Sequence, residues 1–239
     1  TDHDTLAGVP AAAAAGRACG VRVVPGVEIT GIEQGRDVHL LAYFVDPGDA
    51  GLAGFLEGQR TDRLRRARDM ARRLAGLGCP IDIEPLLART AAAPGRSVGR
   101  PQLADALVAA GHAQDRNDAF DRLLGHGRPA WVPRAGGSPE EVIAIVRRAG
   151  GLVSLAHPAL TGIDAAIPRL ARAGLAALEA RHSDQDGVTE ARYRALAAEL
   201  GLAVSGGSDL HGAPGHRVAT LGRVTLGADD FAALEARLA

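Results

Sequence analysis

The sequence contains no lysine: its 27 basic residues are all arginine, set against 28 aspartates and glutamates. This absence excludes a lysine Schiff base and a phosphate loop that depends on a lysine side chain. The net charge of −1 and the pI of about 6.7 indicate no general attraction to nucleic acid or to anionic lipid. An anionic ligand would therefore have to be held by a local group of arginines.

Cysteine and aromatic residues are also scarce. The two cysteines, Cys19 and Cys79, lie in different segments and are too few for a disulfide framework or a zinc ribbon. Their apolar neighbours predict buried, reduced thiols, as in a cytoplasmic protein. No apolar run of about 18 residues occurs, so the sequence predicts no membrane-spanning helix. It indicates neither a membrane nor a stable protein partner.

Hydrophobic patterning divides the 239 residues into three stretches. Residues 1–51 and 136–239 alternate short apolar strands with helices, which is typical of a parallel, barrel-like α/β core. Between them, over 52–135, helical periodicity dominates. The sequence therefore predicts one α/β core that carries an inserted helical subdomain.

The same pattern makes two more specific predictions. The first apolar runs predict strands over 21–29 and 37–45, as part of the parallel core. The insert opens with an arginine-rich pattern that predicts one long helix over 60–77. Its arginines are expected to form a solvated outer face, since charged residues are seldom fully buried.

Histidines and carboxylates recur at or near the ends of the predicted strands. In chain order they are His3, Glu28, His39, His157, Asp209 and His211. Strand ends of a barrel-like core meet on one face, where such folds hold their chemistry. Asp209 and His211 are two residues apart, so in an extended segment their side chains point the same way. Mixed imidazole and carboxylate ligands suit Zn, Mn or Fe better than Mg or Ca.

Each of these signals has a structural explanation when it is taken alone. A histidine inside a strand, such as His39, is often a satisfied core residue; Glu28 could cap a loop, and Asp209 could begin a helix. The metal-site interpretation is favoured because the residues recur in order at equivalent places. His182 and His216 remain candidates for the edge of the same site.

The ordered motifs resemble the PHP (polymerase and histidinol phosphatase) superfamily of metal-dependent phosphoesterases. They are Thr-Asp-His-Asp-Thr, Pro-Gly-Val-Glu-Ile, Val-His, Ala-His-Pro and Gly-Ser-Asp-Leu-His, and the resemblance covers essentially the whole chain. In the insert, Gly-Arg-Pro and Gly-Arg-Pro-Ala-Trp-Val-Pro are similar to the branch of nucleoside 3′,5′-bisphosphate and AMP phosphatases. That branch is related to a 5′-to-3′ exoribonuclease that acts on short RNA, whereas histidinol phosphatases look less similar.

The resemblance implies a distorted (β/α)7 barrel with an inserted helical subdomain, and a centre of two or three divalent metals, Mn, Zn or Fe. The implied metal ligands are His3, Glu28, His39, His157, Asp209 and His211, with Glu28 bridging two ions. The implied phosphate contacts are Arg100, Arg128 and Arg134, because a guanidinium fork matches two phosphoryl oxygens.

The reaction that the resemblance implies is hydrolysis of nucleotide phosphate monoesters by a metal-activated water. No residue beyond that water is assigned a catalytic role, and the expected partner is a small phosphorylated nucleotide. Two alternatives stay open: a 5′-to-3′ exoribonuclease acting on short RNA, and a metal-binding domain without turnover.

The resemblance also implies a departure at the start of the chain. Family members begin with a strand that ends Asp-x-His-x-His and is followed by a further aspartate ligand, whereas this sequence starts at Thr1, inside the next motif. We therefore expect the chain to lack the first metal-binding strand. Activity would then belong to the intact parent protein, and an open sheet edge would lower stability and metal retention.

Overall fold

A computed structural model describes residues 1–92, 98–210 and 222–238. The chain forms two compact units. The first combines Thr1–Gly54 with Gly137–Ala239, and the second is Phe55–Gly136. For comparison, the sequence predicts a helical insert that spans residues 52–135.

The first unit contains a five-stranded sheet in the order β1-β2-β3-β4-β5. Its strands are Gly26–Glu33 (β1), Arg36–Tyr43 (β2), Leu152–Leu155 (β3), Ala177–His182 (β4) and Ala203–Gly207 (β5). Strands β3, β4 and β5 run parallel to one another, whereas β2 is antiparallel to both β1 and β3. The mixed α/β class predicted from the alternation of strands and helices is confirmed.

The helices of the first unit are Val9–Cys19 (α1), Pro139–Arg148 (α6), Pro158–Thr161 (α7), Ile167–Ala173 (α8), Gly187–Glu199 (α9) and Ala228–Glu235 (α10). Short 3-10 turns occupy Asp164–Ala166 and Ala236–Leu238. Helix α6 packs against β1, β2 and β3, α9 against β4, and α10 against β5. Ser138 and Glu141 cap the start of α6 reciprocally, which fixes where this packing helix begins.

The first two strands depart from the predicted parallel core. They form an antiparallel hairpin in which Glu33 pairs with Arg36 across Gln34 and Gly35. Both turn residues have positive φ, 49° and 78°, as in a type I′ turn, whose twist matches that of paired strands. Because a two-residue turn reverses the chain, the strands that it joins cannot be parallel. The parallel prediction is wrong for this part of the sheet.

The second unit is helical. Helix α2 (Ala50–Gly76) begins in the first unit and continues into the second, where it is followed by Glu84–Ala92 (α3), Arg100–Ala109 (α4), Arg116–Ala119 (α5) and a π turn at Phe120–Leu124. Buried side chains on these elements form one core, among them Met70, Leu74, Leu103, Leu107 and Leu124. Helix α2 starts earlier than predicted because glycines, which lower helix propensity, obscure its first turns.

One face of α2 is buried within the second unit, contrary to the prediction of a solvated face. The side chains with 4% to 8% exposure are Gln59, Asp62, Arg63 and Arg66. Arg66 Nε donates to the carbonyl oxygen of Val132 at 2.6 Å, and this bond ties α2 to the segment that closes the unit. The prediction holds for Arg72, which is 75% exposed.

Cys19 ends α1 and is exposed, while Cys79 follows α2 and is half-buried. The prediction of buried thiols is therefore wrong for Cys19. Its apolar neighbours are mostly alanines of α1, a helix in which Gly16 is the buried position. None of the helices in the described part of the chain combines the length and the apolarity needed to cross a bilayer.

Replacing Leu107 by alanine should lower the free energy of unfolding by about 2–5 kcal/mol, because the fully buried side chain leaves a cavity in the core of the second unit. Chemical denaturation monitored by circular dichroism measures the change. Leu77→Ala is the matched control: Leu77 is 46% exposed, and its loss should change stability by no more than about 0.5 kcal/mol. Equal losses for the two variants would contradict the assignment of this core.

Candidate metal centre

The segment that precedes α1 brings His3 to the edge of the sheet. The N–H of Glu28 donates to the carbonyl oxygen of Asp2 at 3.1 Å, and the N–H of Asp4 donates to that of Glu28 at 2.9 Å. His3 and Glu28 thereby form a parallel β-bridge. Asp4 has a φ of 55°, and its Oδ1 accepts the N–H of Thr30 at 3.4 Å. The first residues of the chain are thus anchored beside β1.

The hairpin places His39 on the same face as Glu28. Thr30 pairs with His39 in the β1–β2 register, and side chains two residues apart on a strand share a face. Glu28 is 2% exposed, and its Oε1 lies 2.7 Å from His39 Nδ1. A buried carboxylate needs such a partner, since an isolated charge is costly to remove from water.

His157, which follows β3, lies beside the same carboxylate of Glu28. The N–H of Ala156 donates to the carbonyl oxygen of His39 at 3.0 Å, and His157 follows directly. His157 Nε2 lies 3.2 Å from His39 Nδ1 and 3.6 Å from Glu28 Oε1. The backbone of His157 has a φ of 29°, in a region that non-glycine residues seldom adopt. The ring therefore reaches Glu28 from a strained backbone conformation.

Both oxygens of Glu28 face imidazole nitrogens. Oε1 faces His39 and His157, whereas Oε2 lies 3.6 Å from His3 Nδ1. Ligand atoms around a tetrahedral metal with bonds of about 2.1 Å are about 3.4 Å apart. The measured separations of 2.7 to 3.6 Å bracket that value, and one ligand atom each from His3, Glu28 and His39 lie within 4.8 Å of one another. The donor set fits a transition metal such as Zn, Mn or Fe.

The other described carboxylate of the predicted ligand set, Asp209, faces His182. Asp209 Oδ2 lies 3.5 Å from His182 Nε2, and His182 Nδ1 accepts the N–H of Asp184 at 3.1 Å. Because Nδ1 accepts, a neutral His182 ring carries its proton on Nε2, toward Asp209. His182, which the sequence leaves as a candidate, thus lies beside a predicted ligand. His211 and His216 lie outside the described residues.

Glu179 is a site residue that the sequence analysis missed. Its Oε2 accepts the N–H of His157 at 2.7 Å, and its side chain is 4% exposed. Burial raises the pKa of Glu179, while the hydrogen bond from His157 and the charge of His182 act in the opposite direction. The available signal was a lone carboxylate in the otherwise apolar run Leu-Ala-Ala-Leu-Glu-Ala.

A cavity of about 260 Å³ in the first unit joins these groups. Its lining includes the acidic side chains of Glu28, Glu179 and Asp209 together with His157 and Tyr43. Burial and the neighbouring carboxylates raise the pKa of Tyr43, so its phenol stays protonated. The cavity therefore presents carboxylates and imidazole beside a neutral hydroxyl.

The sheet is irregular beside this cavity. The pairing of β4 with β5 shifts between Glu179 and Arg181, as at a β-bulge. Gly206 lies against the irregular stretch: a Cβ at this position would come within 2.8 Å of both Cβ and the carbonyl oxygen of Arg181. A larger residue at 206 would push the strands apart next to Glu179.

The arginines predicted to contact phosphate lie in the second unit. Arg100 begins α4, with its guanidinium carbon 5.8 Å from the centre of the Phe120 ring. Arg128 is exposed, and Arg134 is half-buried in the segment that closes the unit. Their role as phosphate contacts stays a prediction.

The chain is similar to characterised enzymes over most of its length, although no protein-family model matches it. It is 31% identical over 221 residues to a 3′,5′-nucleoside bisphosphate phosphatase of Chromobacterium violaceum, which covers 90% of this chain and 76% of that protein. It is 30% identical over 218 residues to the 5′-3′ exoribonuclease Rnm of Salmonella typhimurium, with coverage of 88% and 73%. The crystal structure of a protein from Bifidobacterium adolescentis, described as a metal-dependent phosphoesterase, superposes with a TM-score of 0.84 at 34% identity, over 99% of this chain and 84% of that one.

Glu28→Gln should weaken metal binding by more than the roughly 10–100-fold that loss of an outer-shell partner costs, because it removes a carboxylate at the centre of the histidines. Competition with a chromophoric chelator for Zn or Mn measures the affinity. Glu33→Gln on the same strand is the control, since Glu33 pairs with Arg169 at 2.7 Å. Similar affinities for both variants would argue against a metal site at Glu28.

Proposed function

The chain belongs to the PHP (polymerase and histidinol phosphatase) family of metal-dependent phosphoesterases, which are hydrolases, and we propose that it removes phosphate from small nucleotides. The proposed substrate is an AMP-like monoester or a nucleoside 3′,5′-bisphosphate, and the Chromobacterium relative is named for the bisphosphate. The observation that carries the proposal is the convergence of three imidazoles on both oxygens of the buried Glu28.

We propose that two or three divalent ions, Mn, Zn or Fe, are held by His3, Glu28, His39, His157, Asp209 and His211. Glu28 is proposed as a bridge between two ions, which its engagement of His39 through one oxygen and His3 through the other supports. The five-stranded sheet is proposed to belong to a distorted (β/α)7 barrel. Barrels of this kind hold their chemistry at one end, where side chains from several strands meet.

When bound, such ions supply Lewis acidity and lower the pKa of a water molecule enough for it to attack phosphorus. The residues of the chain prepare the surroundings for that attack. His182 Nε2 faces Asp209, and Glu28 lies between the imidazoles of His3 and His39. The protonated phenol of Tyr43 places no further negative charge on the cavity wall, where a phosphate dianion would be repelled.

A second candidate function is 5′-to-3′ exoribonuclease activity on short RNA, for which the Salmonella relative is named. The second unit offers one feature that favours it. The rings of His126 and Trp131 lie 4.5 Å apart, and such a pair can stack on a nucleobase. Nucleotide phosphatase remains the first proposal because aromatic residues make up 3% of the chain and provide few further stacking groups.

The products formed in the presence of Mn²⁺ distinguish these functions: monoester hydrolysis releases inorganic phosphate, whereas cleavage of a phosphodiester releases a mononucleotide. The substrates are adenosine 3′,5′-bisphosphate, AMP and a 5′-phosphorylated dinucleotide. They are offered to the chain and to a version preceded by the Asp-x-His-x-His strand that the resemblance implies. We expect release from the bisphosphate, abolished by Glu28→Gln. Cleavage of the dinucleotide alone would identify an exoribonuclease, and silence of both versions on every substrate would indicate a metal-binding domain without turnover.

Arg100→Met should lower kcat/KM for the bisphosphate by about 10-fold or more, because a charged hydrogen bond to phosphate contributes roughly 1.5–3 kcal/mol. Steady-state kinetics provide the measurement. Arg116→Met is the control in the same unit, since the guanidinium of Arg116 is held by two hydrogen bonds to Asp105. If the Arg100→Met and Arg116→Met enzymes have the same kcat/KM, Arg100 does not contact the phosphate.

A further inference from the structure

His157 holds a backbone conformation that residues other than glycine seldom adopt. Its φ and ψ are 29° and 59°, in the left-handed region, and the following residue is Pro158, which restricts the preceding backbone further. Hydrogen bonds fix its flanks: the N–H of Ala156 donates to His39 at 3.0 Å, and the N–H of Leu160 donates to the carbonyl oxygen of His157 at 2.9 Å. These two bonds leave the N–H of His157 itself to be satisfied.

Glu179 satisfies that N–H. The parallel register of β3 and β4 pairs Leu155 with Leu178, which brings the next residue of β4 alongside the end of β3. From there Glu179 Oε2 accepts the N–H of His157 at 2.7 Å. A buried carboxylate is a strong acceptor, and a buried N–H without an acceptor is strongly unfavourable. This bond holds the peptide plane before the Cα of His157, and the bond from Leu160 holds the carbonyl after it, so the two together constrain the torsion about N–Cα of His157.

That torsion decides where the imidazole of His157 points. In the structure its Nε2 lies 3.2 Å from His39 Nδ1 and 3.6 Å from Glu28 Oε1. A site of this kind functions only when its groups are held within about 0.5 Å and 10–20° of the required geometry. Relaxation of the backbone to a common conformation would swing the ring well beyond this tolerance.

We infer that Glu179 is a positioning residue for the metal centre: by accepting the N–H of His157, it holds that residue in the strained conformation from which its imidazole joins Glu28 and His39. The inference rests on the proposed function in taking His157 as a metal ligand. For this role the side chain of Glu179 must be long enough to reach the N–H of His157 and must carry an acceptor oxygen. Neither a negative charge nor contact with an ion is required.

Three substitutions distinguish the effect of the length of the Glu179 side chain from the effect of its charge. Glu179→Gln keeps the length of the side chain and an acceptor oxygen but removes the charge. Glu179→Asp keeps the charge but is one methylene shorter. Ser205→Ala is the control, because Ser205 is the cross-strand neighbour of Glu179 on β5 and its buried hydroxyl is bonded to Ser154 at 2.7 Å. It reports general damage to this part of the sheet.

The first readout needs no metal. In ¹H–¹⁵N spectra of the metal-free chain, the amide proton of His157 should lie downfield and exchange slowly, as expected for a short bond to a carboxylate. Glu179→Gln and Ser205→Ala should keep this protection, and Glu179→Asp should lose it. Protection that persists in Glu179→Asp would overturn the inference.

The second readout is affinity for Zn or Mn, measured by chelator competition. Glu179→Asp should weaken binding by about 10–100-fold, the range typical of a lost outer-shell partner, while Glu179→Gln and Ser205→Ala should stay within about 3-fold of the unmodified chain. In a His157→Ala background, Glu179→Asp should have no further effect, because the two residues act as one unit.

The outcomes are separable. If Glu179→Gln loses as much affinity as Glu179→Asp, charge or direct ligation is the role of Glu179, and positioning is refuted. If neither the unmodified chain nor the version preceded by the Asp-x-His-x-His strand binds metal, the proposed function fails, but the amide of His157 still decides whether Glu179 holds it. Loss of protection in Glu179→Asp alone supports the inference, and unchanged protection refutes it.

Discussion

The buried carboxylate of Glu28 is the constraint on which the arrangement of the first unit depends. A carboxylate at 2% exposure must be surrounded by hydrogen-bond donors or cations, and imidazole nitrogens from three separate segments lie 2.7 to 3.6 Å from its oxygens. Each segment reaches Glu28 by a different device: a parallel bridge for His3, a hairpin for His39 and a strained strand end for His157. The cluster that surrounds this carboxylate is also a donor set that suits a transition metal.

The sequence predicts most of the residues that gather at the candidate site, and less of the geometry that gathers them. His3, Glu28, His39 and His157 could be predicted because their residue types recur in ordered motifs, and the α/β class follows from periodicity. The hairpin at Gln34–Gly35 could not be predicted, because the turn lacks the usual Asn-Gly or Asp-Gly signal. Its positive φ values become visible only in the structure. Glu179 was missed because one carboxylate within an apolar strand has no partner in sequence; its partner comes from a different strand.

The use of arginine in place of lysine matters in the second unit, where cationic side chains are buried. Arg63 and Arg66 lie on α2 with 8% and 6% exposure, a degree of burial that an ammonium group tolerates poorly. Guanidinium is more weakly hydrated and spreads its charge over a planar fork, so it can be packed against backbone carbonyls such as that of Val132. The same composition that excludes lysine chemistry thus allows cationic side chains to build the interior of a helical unit.

The hairpin has a consequence for how the centre is assembled in time. Glu28 and His39 lie on adjacent strands joined by a two-residue turn, and hairpins of this kind close within roughly 1–10 μs. His157 lies 118 residues along the chain from His39, so its arrival waits for long-range strand pairing, which is intrinsically slower. Once this hairpin has closed, a carboxylate and an imidazole lie on one face of it before His157 reaches them.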